Sequence, residues 1–122
     1  MANPKKTVVI GASTNPARYS YMAVHRLVDA GHPVIPVGLK KGDVAGIEIL
    51  HGQPKISDVD TVTLYVGPAH QDAYKEYVRK LNPKRVIFNP GTINPDWMSE
   101  LENASIEVVN GCTLVMLSIG SF

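Results

Sequence analysis

A glycine turn that follows an apolar strand is the feature of this sequence best suited to chemistry. The run Thr7–Ile10 (TVVI) is rich in β-branched residues and is followed at once by Gly11, Ala12 and Ser13. Such a run predicts a strand buried on both faces of a parallel sheet. Glycine lets the chain turn sharply and lets a ligand approach the backbone. Free N–H groups of the turn and of the following helix attract phosphate, so the predicted ligand is an anion.

The turn is not a standard dinucleotide-binding motif. Its sequence, GASTNP, lacks the second and third glycines of G-x-G-x-x-G. Taken alone, it is equally compatible with an ordinary strand-to-helix connection. Arg18 and Ser20 lie at the start of the predicted helix. There a guanidinium can clamp a phosphate, and a hydroxyl can either cap the helix or donate to a ligand oxygen.

Strands and helices alternate along the chain in a way that positions this turn. The pattern predicts an α/β fold, a single Rossmann-like, doubly wound, mostly parallel five-stranded sheet with helices on both faces. The predicted strands are residues 7–10, 33–37, 61–66, 85–88 and 106–109, with a small β piece at 47–50. Three helices are predicted: a stretch that ends at Gly31, residues 68–81 and residues 95–104. The second of them has an apolar stripe formed by Ala73, Tyr77, Val78 and Leu81. The apolar tail 112–122 is expected to pack on the body of the domain.

Composition narrows the class of protein. A chain of 122 residues suits one domain, here residues 1–122, and its net charge of +1 gives no general argument for nucleic acid or a membrane as partner. The N-terminal residues MANPKK have no apolar signal-peptide core, and one cysteine excludes an internal disulfide. We therefore expect a cytoplasmic protein with a small-molecule nucleotide ligand.

Short motifs in a particular order resemble a known family. They are the GAS turn with Arg18, Ser20 and Tyr21, then Pro36-Val37, Gly46, Asp60 to Val62, Pro90-Gly91 and Gly111-Cys112. In order and spacing the chain resembles the small bacterial CoA-binding proteins, which are related to the CoA-binding domain of the succinyl-CoA synthetase α-subunit. The resemblance implies a Rossmann-type fold, CoA or an acyl-CoA bound at the first strand-to-helix turn, and no assigned chemical activity. As protein partners we consider a second copy of the chain, in a homo-oligomer, or a synthetase.

The end of the second predicted strand bears on the choice of nucleotide. NAD-binding domains carry an acidic residue about 20 residues past the glycines, which binds the ribose. Here Val37 is followed by Gly38 and Leu39 and then by Lys40 and Lys41. A cation suits a phosphate on the ribose, as in the 3′-phosphate of CoA or the 2′-phosphate of NADP. The alternative is that both lysines are solvated loop charges.

The other expected site residues follow later strands. Gly67 and Pro68 would line an adenine or pantetheine channel or simply start a helix, and Gly91 follows the fourth strand. Cys112 is either a thiol beside the ligand or a small apolar filler.

Catalytic groups are hard to assemble from this sequence. It has no G-x-S-x-G elbow, and its four histidines lack metal-ligand spacing, so we expect them at the surface or at helix ends. The sequence leaves three hypotheses about function: a non-catalytic CoA-binding module, an NADP- or other nucleotide-binding sensor, and a small enzyme that acts on a CoA thioester.

Overall fold

Five parallel strands form the central sheet of the protein, described here by a computed structural model over residues 3–122. In sheet order they are β2 (Val34–Val37), β1 (Thr7–Ile10), β5 (Thr61–Leu64), β6 (Arg85–Phe88) and β7 (Glu107–Asn110). Two short strands, β3 (Asp43–Val44) and β4 (Ile47–Glu48), form a separate antiparallel pair in the connection after β2. The predicted α/β, Rossmann-like sheet of five parallel strands is confirmed.

Helices cover both faces of this sheet, as predicted. They are α1 (Tyr19–Asp29), α2 (Asp72–Leu81), α3 (Pro95–Asn103) and α4 (Thr113–Ser118). Alternate side chains of β1 point to opposite faces. Val8 and Ile10 belong to one apolar cluster with residues of α2 and α3, whereas Val9 belongs to a second cluster with residues of α1. No helix within residues 3–122 has both the length and the apolar character needed to cross a membrane.

The predicted boundaries differ from the observed ones in a few places. The second strand starts at Val34, the third ends at Leu64, and the last is shifted by one residue to 107–110. The predicted helix 68–81 is divided into a 3-10 turn at Pro68–His70 and the helix α2. Ala73 was placed wrongly on the apolar stripe: it is exposed, and Tyr74 packs against the core in its place.

The tail packs on the body, and it contains the unpredicted helix α4, which contacts α1. At its end the ring of Phe122 lies 4.9 Å from that of His32 and 4.3 Å from the guanidinium carbon of Arg85. His32 is therefore buried, so the expectation of a surface or capping role for it was wrong. Its Nδ1 accepts a hydrogen bond from the backbone N–H of Lys5 at 2.9 Å. Burial, with a smaller contribution from the nearby Lys5 charge, lowers the pKa of His32.

Candidate functional site

A cleft of about 490 Å³ opens at the carboxyl ends of β1 and β5. These two strands are neighbours, but the chain leaves β1 toward β2 on one side and β5 toward β6 on the other. Such a reversal of strand order creates a crevice in which open α/β sheets bind ligands. We call it the strand-end cleft. One wall is formed by residues 11–15 and 18–20 with Leu39 and Lys40, and the other by 65–67, Tyr74 and 90–92.

The turn after β1 is held by the end of β2. The backbone N–H groups of Gly11 and Ala12 both donate to the carbonyl oxygen of Val37, at 2.9 and 3.0 Å. These two N–H groups are therefore not free to bind a phosphate, so the prediction that the N–H groups of the turn hold the anion was wrong for Gly11 and Ala12. Among the described residues the N–H groups of Ser13 and Thr14 have no acceptor, so the free donors lie one step further along the chain.

Gly11 is required by its conformation and by its neighbour. Its φ of +94° is disfavoured for residues with a Cβ atom. A Cβ atom there would also lie 3.0 Å from the backbone carbon and oxygen of Tyr65. The glycine thus allows the turn after β1 to pack closely against the end of β5.

The start of α1 presents further donors to the cleft. The cap residue Arg18 makes no side-chain capping bond, and Ser20 lies inside the first turn, almost fully buried. The alternative that Ser20 caps this helix was therefore wrong.

In the turn after β1, Ser13 Oγ accepts a hydrogen bond from the N–H of Asn15 at 3.0 Å, which leaves the O–H of Ser13 able to donate to a ligand.

The charged residues that line the strand-end cleft are cations. Arg18 and Lys40 are both exposed and both line it, and no Asp or Glu is among the described lining residues. Two large apolar side chains stand beside them: Tyr19 is 68% exposed and Leu39 is 89% exposed. The first wall therefore combines positive charge with apolar surface, which suits an anionic ligand that also carries a ring or an alkyl segment.

The opposite wall, residues 65–67, Tyr74 and 90–92, carries no charged side chain and includes two glycines. Gly67 and Gly91 face one another, since a Cβ atom on Gly67 would lie 3.8 Å from the carbonyl oxygen of Gly91. The fully buried Gln71 joins the two loops through bonds to the carbonyl oxygens of Val66 and Thr92. This wall is uncharged and suits the amide and methylene groups of a long, thin ligand.

Eight of the eleven predicted site residues line the cleft, and three do not. Those that line it are Gly11, Ala12, Ser13, Arg18, Ser20, Lys40, Gly67 and Gly91. Val37 is buried and contributes through the carbonyl that holds the turn, while Lys41 and Pro68 lie outside the lining. Tyr65, Tyr74 and Thr92 also line the cleft and were not among the predicted site residues. Tyr65 directly follows the observed end of β5 at Leu64, but the predicted strand continued to residue 66 and so included it.

Tyr65, on the uncharged wall of the cleft, lies next to a buried polar cluster that includes Thr63 and Thr113. Asn89 Nδ2 donates to Thr63 Oγ1 and to the carbonyl of Leu64, and Asn89 Oδ1 accepts from the N–H of Thr113. Burial raises the pKa of Tyr65 to about 12, and the neighbouring Thr113 hydroxyl offsets this only in part. The phenol therefore stays protonated near neutral pH and can donate or accept a hydrogen bond, but it cannot act as a base.

A second cavity, of about 590 Å³, lies between residues 53–57 and the second half of α2. It contains none of the predicted site residues, and its lining includes Gln53, Lys55 and Tyr77. Within residues 3–122 no group of three His, Cys, Asp or Glu side chains is placed to hold a metal ion.

Comparison with known proteins agrees with this architecture. The profile of the CoA binding domain family matches residues 5–118. A solved structure of an uncharacterized protein superposes with a TM-score of 0.97 at 50% identity, covering 99% of this chain and all of that one. A hypothetical protein from Pyrococcus horikoshii OT3 gives a TM-score of 0.85 at 26% identity, covering 95% of this chain and 83% of that one. A Thermus thermophilus protein at 22% identity, with a TM-score of 0.81 and coverage of 97% and 91%, shares the fold. Among curated proteins none matches.

The family match spans nearly the whole chain and includes the turn after β1 and both walls of the cleft. The protein therefore belongs to the CoA-binding domain family, and this membership supports a role in binding coenzyme A.

Proposed function

We propose that the protein binds coenzyme A or an acyl-CoA without transforming it. The diphosphate would lie along residues 13–20, and the 3′-phosphate would lie near Lys40. The observation that supports this proposal is the strand-end cleft. At the point where the strand order reverses, its lining combines hydrogen-bond donors for a phosphate with two cations, in a fold of the CoA-binding domain family.

The donors of the first wall fit a phosphate-bearing ligand. The N–H groups of Ser13 and Thr14 and the O–H of Ser13 are available, and the N-terminus of α1 adds its dipole. Arg18 and Lys40 add positive charge, with no carboxylate in the described lining to oppose it. At about 490 Å³ the cleft lies within the usual range for small-molecule sites.

The non-catalytic part of the proposal rests on the chemistry of the lining. Among the residues that line the cleft there is no His, Cys, Asp or Glu, and Tyr65 stays protonated. General bases are mostly drawn from such groups, and the Ser and Thr hydroxyls of the lining need a base beside them to act as nucleophiles. The available groups bind and orient a ligand.

Calorimetric titration with CoA, acetyl-CoA, dephospho-CoA, NADP and NAD tests the proposal. We expect CoA and acetyl-CoA to bind, dephospho-CoA to bind more weakly, and NAD not to bind. Binding of NADP as tight as that of CoA would favour a nucleotide sensor instead. Acetyl-CoA incubated with the protein should remain intact by mass spectrometry, at the level of a protein-free control; turnover would contradict the non-catalytic role.

A further inference from the structure

Gln71 joins the two loops that form the uncharged wall of the strand-end cleft. Its Nε2 donates to the carbonyl oxygen of Val66 at 2.9 Å and to that of Thr92 at 2.7 Å. Its Oε1 accepts from Asn94 Nδ2 at 2.8 Å. The side chain is fully buried, and both of its N–H donors are used.

These bonds bear directly on the shape of the cleft. Val66 and Thr92 line the cleft, and each is adjacent in sequence to one of the opposed glycines, Gly67 and Gly91. Buried carbonyl groups that lose a donor carry a desolvation penalty, so the amide fixes the spacing of the loops strongly. An apolar residue at position 71 would fill the same space without holding either loop.

We propose that Gln71 is a positioning residue for the ligand, and that its carboxamide sets the separation of the Val66–Gly67 and Gly91–Thr92 segments. The inference rests on the proposed function, because it concerns the same cleft. Gln71 lies behind the backbone of these loops, so it acts on the ligand through them and not by contact.

The variant Gln71→Glu separates hydrogen bonding from packing. It preserves the shape of the side chain, but an ionised carboxylate would face two carbonyl oxygens and repel both. Burial raises the pKa of such a carboxyl group. Acidification protonates it and restores one donor, so binding by this variant should become pH-dependent.

A second variant reaches the same amide from its other side. Asn94→Asp keeps the cap of α3, where Asn94 Oδ1 accepts from the N–H of Trp97, because Asp caps helices as well as Asn does. The introduced carboxylate would face Gln71 Oε1 and force the amide to turn over. Gln71 Oε1 would then face the carbonyl oxygens of Val66 and Thr92 in place of Nε2. Asn94→Asp therefore still tests the role of Gln71 if Gln71→Glu does not fold.

The control is Gln53→Glu, since Gln53 is the other glutamine of the chain, is exposed, and lies outside the strand-end cleft. We expect CoA affinity at about pH 8 to fall roughly tenfold or more in Gln71→Glu and in Asn94→Asp. The deficit of Gln71→Glu should shrink at about pH 5.5, while that of Asn94→Asp should persist, because the N–H groups at the start of α3 hold the pKa of a capping carboxylate low. Wild type and Gln53→Glu should follow a common profile. Absence of a deficit at about pH 8 in both variants, or a deficit in Gln71→Glu that is equal at both pH values, would overturn the proposal.

Hydrogen exchange keeps this test separate from the test of CoA binding. The N–H of Thr92 donates to the Asn89 carbonyl, and the N–H of His70 donates to the Gly67 carbonyl, so one probe lies in each loop. Without any ligand and at about pH 8, the amides of His70 and Thr92 should exchange faster in the two variants than in wild type. Their exchange rates should be unchanged in Gln53→Glu. Should wild type not bind CoA, the proposed function fails while this readout still tests Gln71; unchanged exchange in both variants would refute the positioning role.

Discussion

Replacing Lys40 and Lys41 separately by Ala should affect CoA binding very differently. Lys40 lines the strand-end cleft and Lys41, its neighbour, does not. A unit charge pair 4 Å apart in water is worth about 1 kcal/mol, and a 3′-phosphate carries up to about two charges. We therefore expect Lys40→Ala to weaken CoA binding by about 5- to 30-fold. Lys41→Ala should change it by less than about twofold, because an exposed charge outside the lining makes no direct contact and salt weakens its field.

Calorimetry with CoA and dephospho-CoA, on both variants, is the appropriate assay. Dephospho-CoA lacks the 3′-phosphate, so Lys40→Ala should hardly change the affinity for this ligand. For CoA, a higher salt concentration should reduce the difference in affinity between wild type and Lys40→Ala. Equal losses for the two ligands would refute a contact with the 3′-phosphate. Equal effects of the two substitutions would show that the lysines act only through their general field.

Two further predictions concern stability. Gly11→Ala should lower the free energy of unfolding in urea by more than Gly46→Ala does, since both glycines have positive φ but only a Cβ at Gly11 would meet Tyr65. Backbone strain alone costs about 1–2 kcal/mol, and equal losses would show that the Tyr65 contact is easily relieved. The lowered pKa of His32 means that its contribution to stability is present above its unfolded-state pKa of about 6.5 and is lost as pH falls through the folded value. His32→Gln, which can still accept from Lys5 but does not titrate, should therefore lose less stability on acidification than wild type; parallel pH profiles would contradict this role.

The sheet was predictable because its signals are local. The strands at 7–10 and 85–88 are short β-branched or aromatic runs bounded by turn residues, and the structure gives both the predicted bounds. Errors arose where tertiary contacts decide. Ala73 and Tyr74 both lie in the first turn of α2, and the sequence does not show which of them faces the sheet; Tyr74 packs against the core and Ala73 is exposed.

Most of the predicted site residues line the cleft, but the bonds that shape it were not predicted. Site residues were predicted after the first four strands, and Gly11, Lys40, Gly67 and Gly91 line one cleft. The bond from Gly11 and Ala12 to the Val37 carbonyl was not visible in the sequence, because any residue can supply that oxygen. The role of Gln71 was hidden for the same reason, since both of its acceptors are backbone atoms of distant residues.

Nuclear magnetic resonance titration of the isotope-labelled protein with CoA tests the central claim most directly. The account predicts chemical shift changes at the amides of Ser13 and Thr14, at Lys40, and at Gly67 and Gly91, with little change around the second cavity at residues 53–57. Absence of shifts at millimolar CoA, or shifts confined to residues 53–57, would contradict binding at the strand-end cleft.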